Sequence, residues 1–278
     1  MARPLRVEFP GALYYISSVG NGGNPIFKDS SDGNIWLNVF DNVCNRFNWE
    51  CLSYCLMSDR YHLIVRTPEA NLSKGMRQLN GNYTQNYNRK HNVGGHVFQG
   101  RYKSVLVQES EYLLPLIKYI TLLPQRAGFV NHPSQFKWCS SKYLYAKEDI
   151  PNWMELSWFE EEFSSDISSF DEFLDIPEES EILNKVTKQI YLGDDNFILS
   201  IQKKLTNEKL SEEIPNTQLT KPISFVFESY MKSSKDKNEA LAKTYLTGDY
   251  TLKEIGDYMG MHYSSVSKIV KEYEYLFN

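Results

Sequence analysis

The stretch ECLSYCLMSDRYHLIVRT, residues 50–67, contains two short apolar runs separated by a Ser-Asp turn signal. Each run has the length of a strand, and the polar pair between them favours a tight turn, so the pattern predicts a β-hairpin. On its second strand, alternation places Arg60 and His62 on one face and Tyr61 on the other. Two histidines at this spacing would form a metal clamp, but the first position holds arginine.

Strands and helices alternate on both sides of the hairpin. Apolar residues recur at helical spacing in several segments, and each such segment follows a capping residue or precedes a breaker. We predict strands over 11–20 and 96–108 and helices over 72–91 and 110–122, the last ending before Pro124. A further helix is predicted after the capping residues 30–32, with apolar positions from Ile35 to Phe47. This order predicts an α+β fold in which helices pack on one antiparallel sheet that is complete by about residue 135.

Length and composition indicate a globular protein. The chain has 278 residues, of which 41% are hydrophobic and 14% aromatic, which is enough for one large or two modest domains. We expect no membrane span and no secretory signal, and therefore a cytoplasmic protein. No CxxC pair or disulfide scaffold is expected from the four cysteines, which are Cys44, Cys51, Cys55 and Cys139.

The net charge of −5 hides an uneven distribution along the chain. Residues 1–135 carry 14 Lys/Arg and 9 Asp/Glu, whereas residues 136–220 carry 8 and 18, and residues 221–278 carry 8 of each. The acidic total therefore does not exclude a basic face on the N-terminal part that binds phosphates. We divide the chain into a domain over 1–135, an acidic, mostly helical connecting region over 136–220, and a C-terminal domain over 221–278.

The tail YLTGDYTLKEIGDYMGMHYSSVSKIVKEYE, residues 245–274, has the pattern of a helix-turn-helix. A short helix after Thr251 is followed by a turn around Gly260 and by a second helix that begins near Tyr263. The second helix of such a motif enters the major groove of duplex DNA. The residues at its exposed start that could reach bases or phosphates are Tyr263, Ser264, Ser265 and Lys268. The alternative is a helical hairpin that serves packing only.

Four segments resemble a known family. They are MARPLRVEFPGALYYISSVGN, YCLMSDRYHLIVRTPEANLSKGMRQLNGNYTQNYNRKHN, GHVFQGRYKSVLV and YLLPLIKYITLLPQRAGFV, and a looser likeness continues through residues 188–198 and the tail. Together they resemble the REP-associated tyrosine transposases, which belong to the single-tyrosine insertion-sequence transposases of the HUH class. The resemblance implies a ferredoxin-like HUH domain that binds DNA hairpins and single strands, and in which a tyrosine attacks a backbone phosphate to form a 5′-phosphotyrosine link.

The resemblance also implies a site for a divalent cation, held by two histidines and by an Asn or Gln near the tyrosine. By position, Tyr119 matches the nucleophile, Arg60 and His62 match the histidine pair, and Leu123 matches the amide. A guanidinium offers only hydrogen-bond donors, and leucine has no ligand atom. His62 is therefore the one ligand retained, so we expect no cofactor, with Mg²⁺ or Mn²⁺ bound only if the site is rebuilt.

Several alternatives remain at this site. Asp59, His91 or His96 could replace the lost ligands. Arg60 could instead hold the scissile phosphate directly, or form a salt bridge with a nearby carboxylate. Tyr119 is either a working nucleophile or a tyrosine that only packs in the old cleft, because nothing in the sequence lowers the pKa of its phenol from about 10 once the cation is absent.

Basic and amide side chains interleaved with tyrosines predict a groove that follows a nucleic-acid backbone. A short N-terminal arm with Arg3 resembles the segment with which the family reads bases. The other candidates in the N-terminal domain are Lys74, Arg77, Asn80, Arg89, Lys90, Arg101 and Lys103.

We therefore interpret the chain as a DNA-binding protein derived from or belonging to these transposases, with strand cleavage weakened or lost. The alternative is an active transposase or nickase that acts through Tyr119. A protein-interaction scaffold built on the acidic middle segment is a third possibility. The expected partner is DNA, as hairpins or single strands through residues 1–135 and as duplex through residues 244–278.

Overall fold

The computed structural model describes residues 7–146, 150–177, 182–201, 223–247, 250 and 252–273. The chain forms two compact units, Met1–Ser200 and Ile201–Asn278. Within the described ranges, none of the helices combines the length and the apolar character needed to cross a bilayer.

The first unit is built on a five-stranded sheet. Its strands are β1 (Ala12–Val19), β2 (Glu50–Met57), β3 (Arg60–Thr67), β4 (Lys103–Val107) and β5 (Tyr191–Leu192), in the order β2-β3-β1-β4-β5. Among the first four strands each neighbouring pair is antiparallel, and the predicted hairpin is β2 with β3. With the helices that connect them, these four strands form a ferredoxin-like sheet. The predicted α+β class is confirmed.

One face of the sheet is covered by α1 (Ser30–Phe47) and α2 (Leu72–His91). Alternation along β3 points Tyr61 to this face, where its ring centroid lies 4.9 Å from that of Trp36 on α1. Asp29 caps α1 by accepting hydrogen bonds from the backbone N–H groups of Ser31 and Asp32. The predicted bounds of α2 agree with the structure, because Asn92 ends the helix in the left-handed conformation.

The opposite face is covered by α3 (Glu109–Arg126). Its residues Leu116, Ile117 and Ile120 are buried in one cluster with Ile64 of β3 and Val105 of β4. His62 lies on the same face of β3 as Ile64, so the fold brings it towards α3.

Two predicted boundaries were wrong. We expected the last helix to end before Pro124, but α3 contains this proline and continues to Arg126. We expected a strand over 96–108, but β4 begins at Lys103, because Gly100 has a φ of 66° and turns the chain out of extended geometry.

Residues 136–200 belong to the first unit rather than to an exposed connection, which corrects the predicted boundary at residue 135. The segment contains α4 (Lys142–Ala146), α5 (Ser157–Phe163) and α6 (Ile167–Asp175), and its Trp158 and Phe170 are buried in the same core as α3. Buried Lys118 of α3 donates hydrogen bonds from Nζ to the carbonyls of Phe173 and Ile176, at 2.6 and 2.5 Å. The cation thereby satisfies carbonyl groups at the C-terminal end of α6 and interacts favourably with the helix dipole. Residues 202–220 of the predicted connection lie outside the described part of the chain.

The described part of the second unit consists of α7 (Ile223–Met231), α8 (Lys237–Leu246), α9 (Leu252–Met259) and α10 (Tyr263–Tyr273). Leu241, Ile255 and Val266 are buried in its core. Between α9 and α10, Gly260 adopts a φ of 66°, which favours glycine. The two helices and the short turn thus have the order that the helix-turn-helix prediction requires.

Candidate functional site

A cleft of about 750 Å³ opens at one side of the first unit, beside β1, β3, β4 and α3. The cleft is lined by Arg60, His62 and Tyr119, which the family resemblance had placed in one site. The other residues that line it are Tyr15, Ser17, Val19, Gln99, Arg101, Tyr102, Lys103, Ser104, Val105, Leu183, Val186, Gln189 and Ile190. Three cationic side chains line the cleft, and none of the described lining residues is an aspartate or a glutamate.

Three rings meet at the floor of the cleft. The Tyr15 hydroxyl lies 2.7 Å from Nδ1 of His62, and the two rings stack with centroids 5.9 Å apart. Tyr119 of α3 meets both rings edge-on, at centroid distances of 6.4 Å from Tyr15 and 6.1 Å from His62. Arg126, about two helical turns further along α3, places its guanidinium carbon 5.8 Å from the Tyr119 ring centroid.

Burial sets the protonation of this group. Desolvation by burial and, second, the nearby charge of Arg60 lower the pKa of His62 from 6.5 to about 4, so the imidazole is neutral at physiological pH. Burial also raises the pKa of Tyr15 far above its usual value, with a smaller contribution from Tyr119, so Tyr15 keeps its proton. Neither group can supply a formal charge at neutral pH.

Arg60 is paired with Asp59. Its Nε and Nη2 donate to the two carboxylate oxygens at 3.0 and 2.8 Å, and this contact holds the pKa of Asp59 below its usual range. The sequence left open whether Arg60 holds a phosphate or forms a salt bridge with a carboxylate, and the structure contains the salt bridge. With 46% of its side chain exposed, Arg60 nevertheless also lines the cleft. A cation bound to Asp59 would lie next to the positive charge of this guanidinium, which disfavours it.

The other two substitutes considered for the lost metal ligands lie elsewhere. Nε2 of His91 is 2.9 Å from Asp32, and these two residues with Asp29 form the one group of three potential His, Cys, Asp or Glu ligands found in the described ranges. Lys90 already donates to both aspartates, at 2.6 and 2.7 Å. His96 is exposed and does not line the cleft.

Leu123, at the position matched to the family's amide ligand, packs against the apolar cluster of the first unit. It is not among the described residues that line the cleft.

The predicted DNA-binding residues separate into groups. Arg101 and Lys103 line the cleft, whereas the candidates on α2 do not. Asn80 has a structural role, because its Oδ1 accepts a hydrogen bond of 2.5 Å from the Tyr61 hydroxyl, and the charge of Lys90 is engaged by the two aspartates. The remaining α2 candidates, Lys74, Arg77 and Arg89, are exposed. Arg3 lies outside the described residues.

In the second unit, the start of α10 is exposed as predicted: Tyr263, Ser264, Ser265 and Lys268 all face solvent. Nδ1 of His262 lies 2.8 Å from the Ser264 hydroxyl and accepts from the Ser264 backbone N–H at 3.4 Å, so this histidine helps to cap the helix. Val266 and Val270 point inward and hold α10 on the core.

One wall of the cleft was missed in the sequence analysis. It consists of Leu183, Val186, Gln189 and Ile190, which reach the site because β5 continues the sheet beside β4, with the Leu106 N–H donating to the Ile190 carbonyl at 2.8 Å. A two-residue strand gives no periodic signal, so sequence patterns could not find it. Tyr15 and Ser17 were also missed, although their alternate spacing on a predicted strand could have placed them on one face.

Residues 16–122 match the family described as Transposase IS200 like. This match spans β1 to α3 and includes Arg60, His62 and Tyr119 of the cleft. The resemblance predicted from the sequence is therefore confirmed over residues 16–122, which are similar to the IS200-like transposases.

Solved structures are similar to the chain at low sequence identity. A REP-associated tyrosine transposase bound to a REP hairpin is 14% identical, with a TM-score of 0.46 over 54% of this chain and 89% of that chain. A predicted transposase of Deinococcus radiodurans R1 is 16% identical, with a TM-score of 0.31 over 42% of this chain and 94% of that chain. No curated protein matches the sequence.

Proposed function

We propose that the protein is a transposase-derived DNA-binding protein whose cleft in the first unit holds single-stranded or hairpin DNA, with strand cleavage weakened or lost. The observation that carries the proposal is the charge of the cleft: Arg60, Arg101 and Lys103 line it, and none of its described lining residues is acidic. Phosphates are attracted to such a surface, whereas a divalent cation is repelled.

The two walls of the cleft suit an exposed nucleotide. The three cationic side chains can bind phosphate oxygens. Leu183 and Val186 form a half-buried apolar surface on which a base can pack. Bases are available for such contacts in single strands, loops and hairpin ends, but are stacked within a duplex. Gln99 and Gln189, which also line the cleft, can donate to or accept from base edges.

The residues present do not fit the divalent cation that the family resemblance implies. Of the three matched positions, Arg60 carries a guanidinium and Leu123 a hydrocarbon, and only His62 has a ligand atom. Mg²⁺ prefers several oxygen ligands in octahedral geometry, so one buried imidazole is insufficient. The proposed function therefore includes no metal-dependent step, and neither Mg²⁺ nor Mn²⁺ is required for DNA binding.

The alternative is strand cleavage by Tyr119, and one observation favours it: the tyrosine lies in the cleft beside the cations that would hold a phosphate. In that reaction the phenol oxygen would bond to phosphorus, the 3′-oxygen would leave, and the phenol proton would pass to a base. Buried His62 has a pKa lowered to about 4 and is a weak base, so it is poorly suited to take this proton.

A covalent-adduct assay decides between the two functions. Incubation of the unaltered protein with labelled single-stranded hairpins, with and without Mn²⁺, is expected to give no protein–DNA adduct on a denaturing gel. Tyr119→Phe is expected to keep its affinity for these hairpins within about twofold, because it removes only the hydroxyl. An adduct that forms with the unaltered protein and is absent in Tyr119→Phe would establish an active transposase and refute the loss of cleavage.

For the second unit we propose duplex DNA binding through the start of α10. Replacing exposed Lys268 with glutamine should lower duplex affinity and reduce the slope of log affinity against log salt by about 1, as expected for one lost phosphate contact. Fluorescence anisotropy on duplex and single-stranded probes measures both quantities. Lys237→Gln at the start of α8 is the matched control. Equal losses in the two variants, or a loss confined to single strands, would place the duplex surface elsewhere.

A further inference from the structure

His62 contains a buried polar atom with no protein partner. The side chain is 5% exposed, and its Nε2 is one of the few buried side-chain nitrogens or oxygens of the described residues that make no hydrogen bond. Buried polar atoms are nearly always paired in folded proteins, since an unpaired one loses its hydration without compensation. Because His62 also lines the cleft, a ligand in the cleft is a natural partner for this atom.

The class of that ligand depends on which ring nitrogen carries the hydrogen. Nδ1 is 2.7 Å from the hydroxyl of Tyr15, which retains its proton. If this hydroxyl donates to Nδ1, the neutral ring carries its hydrogen on Nε2 and offers a donor to an anion. If Nδ1–H donates to the hydroxyl, Nε2 has a free lone pair and suits a metal ion.

The surrounding charges favour the first arrangement. Every formal charge on the described lining of the cleft is positive, from Arg60, Arg101 and Lys103. Asp59 is the carboxylate next to these lining residues, and Arg60 donates hydrogen bonds to both of its oxygens. A positive potential stabilises an anion at Nε2, and with it the tautomer that donates to the anion; it destabilises a cation there.

We infer that His62 binds a phosphate oxygen of single-stranded DNA through Nε2–H, with Tyr15 fixing the tautomer by donating to Nδ1. A position that matches a metal ligand in the family thus becomes, in this chain, a neutral hydrogen-bond donor to phosphate. The inference deepens the proposed function and rests on it for the identity of the ligand, while the tautomer can be measured without DNA.

Long-range ¹⁵N–¹H correlation spectra of the full chain labelled in its five histidines report the tautomer directly. The His62 signals are assigned as those that disappear in His62→Gln. At neutral pH we expect the hydrogen on Nε2, and addition of inorganic phosphate or of a single-stranded oligonucleotide should shift these signals. A hydrogen on Nδ1, or selective broadening of the His62 signals by stoichiometric Mn²⁺, would overturn the inference.

Two substitutions test the donor in binding. His62→Gln keeps an N–H donor on a side chain of similar reach and should retain oligonucleotide affinity within about threefold. His62→Leu removes the donor and should lose affinity on the order of tenfold, with no dependence on Mn²⁺ or chelator. His96→Leu, at an exposed histidine outside the cleft, is the control and should bind like the unaltered protein.

The outcomes separate the inference from the proposed function. Oligonucleotide binding that leaves the His62 signals unmoved, or equal affinities of the Gln and Leu variants, would refute a phosphate contact at His62. If oligonucleotides fail to bind while inorganic phosphate still shifts an Nε2–H signal, the proposed DNA-binding function is wrong. The inference that His62 Nε2–H donates a hydrogen bond to an anion would then still hold. Thermal unfolding of each variant checks that His62→Leu is folded, and the spectra of the unaltered protein decide the tautomer in either case.

Discussion

Single-stranded DNA affinity is expected to fall by about 2–4 kcal/mol when Arg101 and Lys103 are both replaced with glutamine, a loss of roughly 30-fold or more. The two side chains line the cleft with Arg60 and are exposed, so each phosphate contact is worth less than a fully desolvated one. The slope of log affinity against log salt should become shallower by about 1.4, because each single-strand phosphate contact contributes about 0.7. A titration over a salt series measures both effects.

A matched variant tests the location of the surface. Lys74 and Arg77 are exposed cations on α2, outside the described lining of the cleft, and their double replacement with glutamine removes the same charge. We expect it to retain affinity within a fewfold at moderate salt. If the α2 variant loses as much as the cleft variant, DNA also follows α2, which carries several of the candidates predicted from the sequence, and the cleft is not its principal binding surface.

The elements with strong local signals were predictable from the sequence. The β2–β3 hairpin has a polar turn between two apolar runs, and α2 has both a full apolar stripe and an asparagine that ends it in the left-handed conformation. The position of Tyr119 next to His62 followed from the family resemblance. The structure supports it because α3 packs on the sheet face to which His62 points.

The remaining features depend on long-range packing. The apolar wall at Leu183 and Val186 exists because a two-residue strand pairs with β4 across about eighty residues of intervening chain. Likewise, Lys118 looks like a surface cation on a helix, but it is buried against the end of α6. Neither interaction leaves a periodic pattern in the sequence, so the limits of the first unit could not be placed from composition.

Acid should destabilise the first unit in a pH window set by His62. Burial, and next the charge of Arg60, lower the pKa of this group from 6.5 to about 4 in the folded chain. Between these values the unfolded chain binds a proton that the folded chain does not, so the free energy of unfolding falls as the pH drops from about 6.5 to about 4. Since His62 is 5% exposed, solvent screening is small, and the full loss is about 3 kcal/mol.

The variant His62→Gln isolates this contribution, because glutamine does not titrate while the other ionisable groups of the unit are unchanged. Urea unfolding followed by tryptophan fluorescence reports on the first unit alone, since Trp36, Trp49, Trp138, Trp153 and Trp158 all lie within Met1–Ser200. The difference in unfolding free energy between the unaltered protein and the variant should shift by about 2–3 kcal/mol in favour of the variant between pH ~7 and pH ~4.5. A difference that stays constant across this range would mean that His62 is solvated or already protonated in the folded state. His62 could not then be the neutral, desolvated ring that the inferred hydrogen bond from Nε2–H to phosphate requires.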